Sequence, residues 1–118
     1  MYDHVGLRVK SVEASTRFYG AALEPLGFAC SSSDEASAGF GPKDAPALWL
    51  VKGRAGGGAH VAFAAKDRKA VDRFYAAGLA AGGKDNGEPG LRNDYGPTYY
   101  AAFLVDPDGN NIEAVCLK

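Results

Sequence analysis

Residues 4–27 read HVGLRVKSVEASTRFYGAALEPLG, and residues 60–83 read HVAFAAKDRKAVDRFYAAGLAAGG. The two stretches align without a gap at an offset of 56 residues. His4/His60, Val5/Val61, Lys10/Lys66, Arg17/Arg73, Phe18/Phe74, Tyr19/Tyr75, Leu23/Leu79 and Gly27/Gly83 coincide. The offset is close to half of the 118 residues, so the repeat describes two halves of one domain rather than a run of stacked solenoid units. The division expected is a single domain over 1–118, with module 1 at about 1–56 and module 2 at about 57–118.

Each copy reads as a strand followed by a helix. Val5, Leu7 and Val9 alternate with His4, Gly6 and Arg8, which is the period of a strand with two different faces. Ser11 is placed to cap the next helix, with Glu13 in its first turn. Val12, Ser15, Tyr19 and Leu23 fall near one side of that helix, with Phe18 and Ala22 beside them, and Gly27 marks its stop. In the second copy Asp67 takes the capping position. Val71, Phe74, Tyr75 and Leu79 form its apolar stripe, and Gly82-Gly83 ends it.

Beyond each helix the chain is strand-like. ALWLV at 47–51 is a short apolar strand between Pro46 and Gly53. Residues 99–105 and 111–116 read as strands joined by DPDGN, with Gly109 where a tight turn needs positive φ. Further strands are expected over 28–33, 39–41 and 87–92. The fold predicted is α+β: two βαβββ modules forming cup-shaped mixed sheets, with the helices on the outer faces.

Composition narrows the function classes. An apolar fraction of 47%, a charged fraction of 23% and a net charge of −1 exclude a strongly basic nucleic-acid binder and lend nothing to an electrostatic membrane anchor. No apolar run reaches the length of a membrane-spanning helix. MYDHVGLRVK lacks the basic-then-apolar layout of a signal peptide, so the expectation is a soluble cytoplasmic protein. Cys30 and Cys116 form no C-x-x-C motif and are too few for a disulfide framework. Both are expected as reduced thiols buried as small apolar groups.

The registers point to a site. If Val5, Leu7 and Val9 pack beneath the helix, then His4, Gly6 and Arg8 look to the opposite face, as do His60, Ala62 and Ala64. A three-residue turn with a glycine bulge sets Phe103 opposite Glu113, so Asn111, Glu113 and Val115 share that face with Tyr99, Ala101 and Phe103. Ile112, Ala114 and Cys116 then point into the helix-side core. Both histidines of the chain and one carboxylate on an otherwise apolar strand thus lie on one face. Two imidazoles and a carboxylate suit a divalent transition metal with open positions for water or substrate oxygens. The alternative is structural: strand histidines with no ligand, and Glu113 paired with Arg8 across the cavity. A buried Glu113 without a metal needs hydrogen bonds of its own.

The stretches DHVGLRVKSVEASTRFYGAALEPLGF, AHVAFAAKDRKAVDRFYAAG and YYAAFLVDPDGNNIEAV together resemble the vicinal oxygen chelate superfamily. It holds glyoxalase I, extradiol dioxygenases, fosfomycin-resistance proteins and bleomycin-binding proteins. The resemblance covers nearly the whole chain, and the closing hairpin, similar to the family's D-P-D-G-x-x-I-E, is its most specific part. It implies metal ligands at His4, His60 and Glu113, with Glu113 also the catalytic carboxylate, and a divalent ion (Fe, Mn, Ni or Zn). It also implies a homodimer in which His4 of one subunit meets His60 and Glu113 of the other.

Two departures qualify this. Glyoxalase I has a fourth ligand, a Glu, on the last strand of the first module, where this chain carries Trp49. That speaks against lactoylglutathione lyase activity. Fosfomycin enzymes carry a Thr two residues after the first His, where this chain has Gly6. The expectation is a small metal-dependent, glyoxalase-like lyase or dioxygenase acting on a small molecule. Trp49, Tyr99 and Phe103 would shape an apolar pocket, and Arg8 and Arg92 are candidates for an anionic substrate group. Residues 86–97 form either a loop over the cavity mouth or a plain surface connection. The competing expectation is a metal-free, bleomycin-resistance-like protein that sequesters a small molecule.

Overall fold

A computed structural model describes all 118 residues. The first module runs β1 (Val5–Val9), α1 (Val12–Leu23), a 3₁₀ turn (Glu24–Leu26), β2 (Ala29–Ser33), β3 (Ser37–Gly41) and β4 (Leu48–Lys52). The second runs β5 (His60–Ala64), α2 (Arg68–Ala80), β6 (Lys84–Leu91), β7 (Tyr100–Val105) and β8 (Asn111–Cys116). Each module forms its own four-stranded sheet, ordered β1-β4-β3-β2 and β5-β8-β7-β6. In each, the first and last strands pair in parallel and the rest antiparallel. This is the α+β arrangement of two βαβββ modules that the repeat implies. No helix is long and apolar enough to cross a membrane.

Both helices begin on the expected caps. The Ser11 hydroxyl accepts from the Ala14 N–H at 3.1 Å, and the Asp67 carboxylate accepts from the Ala70 N–H at 2.8 Å, each satisfying one otherwise orphaned donor. On α1, Val12, Ser15, Phe18, Tyr19, Ala22 and Leu23 are buried, as their spacing requires. On α2 the buried set is Ala70, Val71, Phe74 and Gly78. Leu79 is 38% exposed and Tyr75 only half-buried, which corrects the expected stripe. The cause is close packing: a Cβ on Gly78 would run into Leu104, and would press on Phe18 and Ala22 of α1. The helices approach each other there, and the stripe rotates toward the small residue. Cys116 is buried, but Cys30 is exposed on β2, whose residues all face solvent, so the buried role holds for one cysteine only.

The closing hairpin has the expected register, with Phe103 opposite Glu113 and Val105 opposite Asn111. Gly109 sits at φ 89°, where a side chain would be strained. The turn also joins the modules. Asp106 is 4% exposed, and one of its oxygens accepts from the backbone N–H groups of Asp108 and Asn110. The other accepts from the Tyr19 hydroxyl at 2.5 Å and from the Asn110 amide at 2.9 Å. The Asp108 carboxylate accepts from the Lys10 N–H at 3.0 Å and the Ser15 hydroxyl at 3.2 Å. The DPDGN turn is thereby tied to α1, and through β8 it fixes the position of Glu113. A fully satisfied buried network of this kind favours one arrangement over its competitors.

Candidate functional site

Residues opposite one another across a sheet share a face, so the pairings place the second module's inner face. Ala62, Glu113, Phe103 and Gly87 lie in one row across β5, β8, β7 and β6. β8 is an inner strand, and Glu113 is only 3% exposed. A buried carboxylate must be paired or hydrogen-bonded, and both of its oxygens are engaged. Oε1 lies 3.1 Å from His60 Nε2, and Oε2 accepts from the Tyr99 hydroxyl at 2.5 Å. That hydrogen bond, then desolvation, pushes the Tyr99 phenol up to about 12. Tyr95 packs edge-on against Tyr99 with ring centroids 5.2 Å apart, and Phe103 lies nearly parallel to the His60 ring at 6.4 Å. These five residues and Asn111 line a cavity of about 430 Å³.

His60 is held from behind. Its Nδ1 lies 3.1 Å from the Asn111 carbonyl, an atom that only accepts, so Nδ1 carries the hydrogen. In the neutral ring Nε2 is then a lone pair aimed at a carboxylate oxygen. That contact is favourable only with a proton or a cation between the two atoms. A histidine whose second nitrogen is tied to a carbonyl is the usual support of a metal-binding imidazole. The donor set of His60 and Glu113 therefore fits a divalent ion.

The first module differs in the corresponding row. Gly6 pairs with Trp49 as Ala62 pairs with Glu113, and Trp49 pairs with Gly39 as Glu113 pairs with Phe103. Trp49 thus occupies the counterpart of the Glu113 position. Its ring lies over Gly39, where a Cβ would come within 2.7 Å of the indole. His4 is exposed, with its Nδ1 2.8 Å from the Asp3 carboxylate. It borders a separate, mostly apolar cavity of about 220 Å³ between the modules, with Phe28, Phe40, Val61 and Phe63 among its walls. No cluster of three or more metal-ligating side chains forms within one chain.

Of the residues singled out from sequence, His60, Glu113, Tyr99 and Phe103 come together, with the Arg92 guanidinium 5.4 Å from the Phe103 ring. His4, Trp49 and Arg8 belong to the other module, and Arg8 is exposed, its stem lying along Gly53. Glu113 therefore pairs with His60 and not with Arg8. Residues 86–97 divide between the end of β6 and a loop, and Tyr95 in that loop borders the cavity mouth. Sequence reasoning passed over Tyr95, whose only signal is a tyrosine four positions before Tyr99 in a Gly/Pro-rich stretch. The Asn111 carbonyl left no signal, because any residue supplies one.

Comparison with known proteins agrees with this architecture. The family model described as Glyoxalase/Bleomycin resistance protein/Dioxygenase superfamily matches residues 2–114. A glyoxalase/bleomycin resistance protein from Albidiferax ferrireducens is 32% identical, with a TM-score of 0.86 and 98% of each chain covered. A glyoxalase-related enzyme from Fulvimarina pelagi shares the fold at 20% identity and a TM-score of 0.76, covering 98% of this chain and 87% of that one. A glyoxalase/bleomycin resistance protein/dioxygenase family enzyme from Burkholderia phytofirmans does so at 18% and 0.75, with 98% of each chain covered. No curated protein matches the sequence significantly. With its doubled module, its closing DPDGN hairpin and a family match over nearly its whole length, the chain belongs to the glyoxalase/bleomycin resistance protein/dioxygenase superfamily.

Proposed function

We propose that the protein is a small metal-dependent enzyme acting on a small molecule with vicinal oxygens. The observation that supports this best is the approach of His60 Nε2 to Glu113 Oε1 at 3.1 Å, with Nδ1 committed to the Asn111 carbonyl. His60 and Glu113 would hold Fe, Mn, Ni or Zn, and His4 of a second copy would complete the set in a cytoplasmic homodimer. When bound, such an ion supplies Lewis acidity toward paired substrate oxygens.

The chain's own residues do the rest. Tyr99 holds Glu113 Oε2 and so orients Oε1 toward His60. Phe103, Tyr95 and Tyr99 give the cavity aromatic walls that displace water from a bound molecule. With His60 Nε2 committed to the metal, Glu113, the only carboxylate lining that cavity, would be the group that takes a proton from the substrate.

The apolar cavity between the modules favours a second reading, a metal-free protein that sequesters a small hydrophobic molecule. Elemental analysis and uptake titration with Mn(II), Fe(II), Ni(II) and Zn(II) separate the two. The enzyme reading expects stoichiometric metal in the wild type and loss of it in His60→Ala and Glu113→Gln. Equal and negligible uptake by all three proteins would overturn it in favour of sequestration.

A further inference from the structure

The rim of the second module's cup carries a positive charge with no counter-charge. Arg92 Nη2 donates to the Glu88 carbonyl at 2.6 Å, and the guanidinium rests over the Phe103 ring. The only ion pairs in the chain are His4–Asp3 and His60–Glu113, so no carboxylate lies against Arg92.

The seat for this side chain is built into β6. A Cβ on Gly87 would lie 3.2 Å from Nη2, and one on Gly90 would lie 3.2 Å from Nη1. Gly87 also has φ 150°, a backbone conformation that side chains rarely adopt. A surface arginine ordinarily keeps its rotamer freedom in water. This one gives it up to a ring, a carbonyl and two glycines, while most of its N–H donors remain free. A pre-organised, unpaired guanidinium on an aromatic floor recognises carboxylate or phosphonate oxygens.

We infer that Arg92 is the anion-recognition residue of this cup, and that the molecule admitted is a small, flat organic anion. Its body lies against Phe103 and Tyr99, and its charged head meets the free edge of the guanidinium. The inference rests on the proposed function's choice of the second-module cavity as the ligand site. It does not depend on a metal being held there.

The test titrates benzoate, phenylphosphonate and neutral benzamide into the full chain, by calorimetry and by NMR. It is run once on chelator-treated protein and once with Zn(II). Both anions are expected to bind and to shift Phe103, Tyr99 and Arg92 resonances, with benzamide ~10-fold weaker or worse. Arg92→Gln should weaken the anions ~10- to 100-fold, leave benzamide unchanged, and be partly rescued by Arg92→Lys. Arg17→Gln, exposed on α1, should change nothing.

No binding by any of the three, benzamide binding as well as benzoate, or undiminished benzoate binding by Arg92→Gln overturns the inference. Should Arg92→Gln not fold, the wild-type Arg92 Nε–H resonance decides. A shift with benzoate and none with benzamide upholds the inference; no shift with benzoate overturns it. Arg92-dependent binding in the chelator-treated protein upholds it even where metal uptake fails. Metal uptake without such binding overturns this inference and leaves the proposed function standing.

Discussion

Trp49 stands in the first module where Glu113 stands in the second: each pairs with the residue two positions after its module's histidine, Gly6 in one case and Ala62 in the other. The indole occupies the ground of a carboxylate, and Gly39 opposite supplies the room it needs. The doubled module is therefore asymmetric in chemistry, with one acidic row and one aromatic row. Trp49 is also the chain's only tryptophan, so its fluorescence reports on the first module's inner face alone. If that face closes over the second module of another copy, Ni(II) or Co(II) bound there should quench Trp49 by more than half. His60→Ala should abolish the quenching, and emission unchanged in a metal-loaded wild type would sink this arrangement.

Tyr99→Phe removes the donor to Glu113 Oε2 and leaves a buried carboxylate oxygen without that partner. The expected loss of stability is about 1–3 kcal/mol, read from urea denaturation. Because the phenol orients the carboxylate proposed to hold the metal, affinity for Zn(II) measured against a competing chelator should fall ~10- to 100-fold. A variant as stable as the wild type, with unchanged affinity, would show that the hydrogen bond contributes nothing to either property.

The parts of the fold legible in the sequence were those in which one residue's placement decides its neighbours'. The period of Val5, Leu7 and Val9 assigned a face to His4, Gly6 and Arg8, and Gly109 fixed the turn that sets Phe103 against Glu113. Hydrophobicity misled where close packing ruled. A glycine carries no apolar signal, yet Gly78 and not Leu79 turns inward on α2, because Leu104 and Phe18 occupy the space. The meeting of His60 and Glu113 on one face was legible in the sequence, and what supports them was less so. Tyr99, expected as a pocket wall, lines the cavity and in addition donates its hydroxyl hydrogen to Glu113. The Asn111 carbonyl behind His60 and the glycine seat of Arg92 are backbone features that side-chain chemistry does not encode.

His4 and the His60–Glu113 pair supply a test of the shared site. Neither His4→Ala nor His60→Ala alone should retain the metal. In a mixed dimer of the two, one site combines both defects and the other has none. Co-refolding the two variants at equal amounts should therefore restore ~25% of wild-type metal uptake, given random pairing into closed two-fold dimers. Restoration no greater than the sum of the separate variants would mean that His4 is not contributed to the His60–Glu113 pair across a dimer.

Tyr19 gives the modules' junction a pH signature. Burial first, then the charge of Asp106 and the hydrogen bond to it, raise this phenol's pKa far above its ordinary value of 10.0. An unfolded chain releases the proton near pH 10, whereas the folded one keeps it, so ionisation favours the unfolded state. The stabilisation is fully present below pH 10 and declines as pH rises toward the folded value, by ~1.4 kcal/mol per pH unit. Tyr75, Tyr99 and Tyr100 are raised as well, so the wild-type slope alone does not isolate Tyr19. The difference from Tyr19→Phe does. Near neutrality the variant should be less stable by about 1–3 kcal/mol, since Asp106 loses a donor. Between pH 10 and 12 the two stability curves should converge, as the wild type loses what the phenylalanine never had. Urea melts of both proteins across that range measure it, and curves that stay parallel would mean that the Tyr19–Asp106 contact does not govern the alkaline limb.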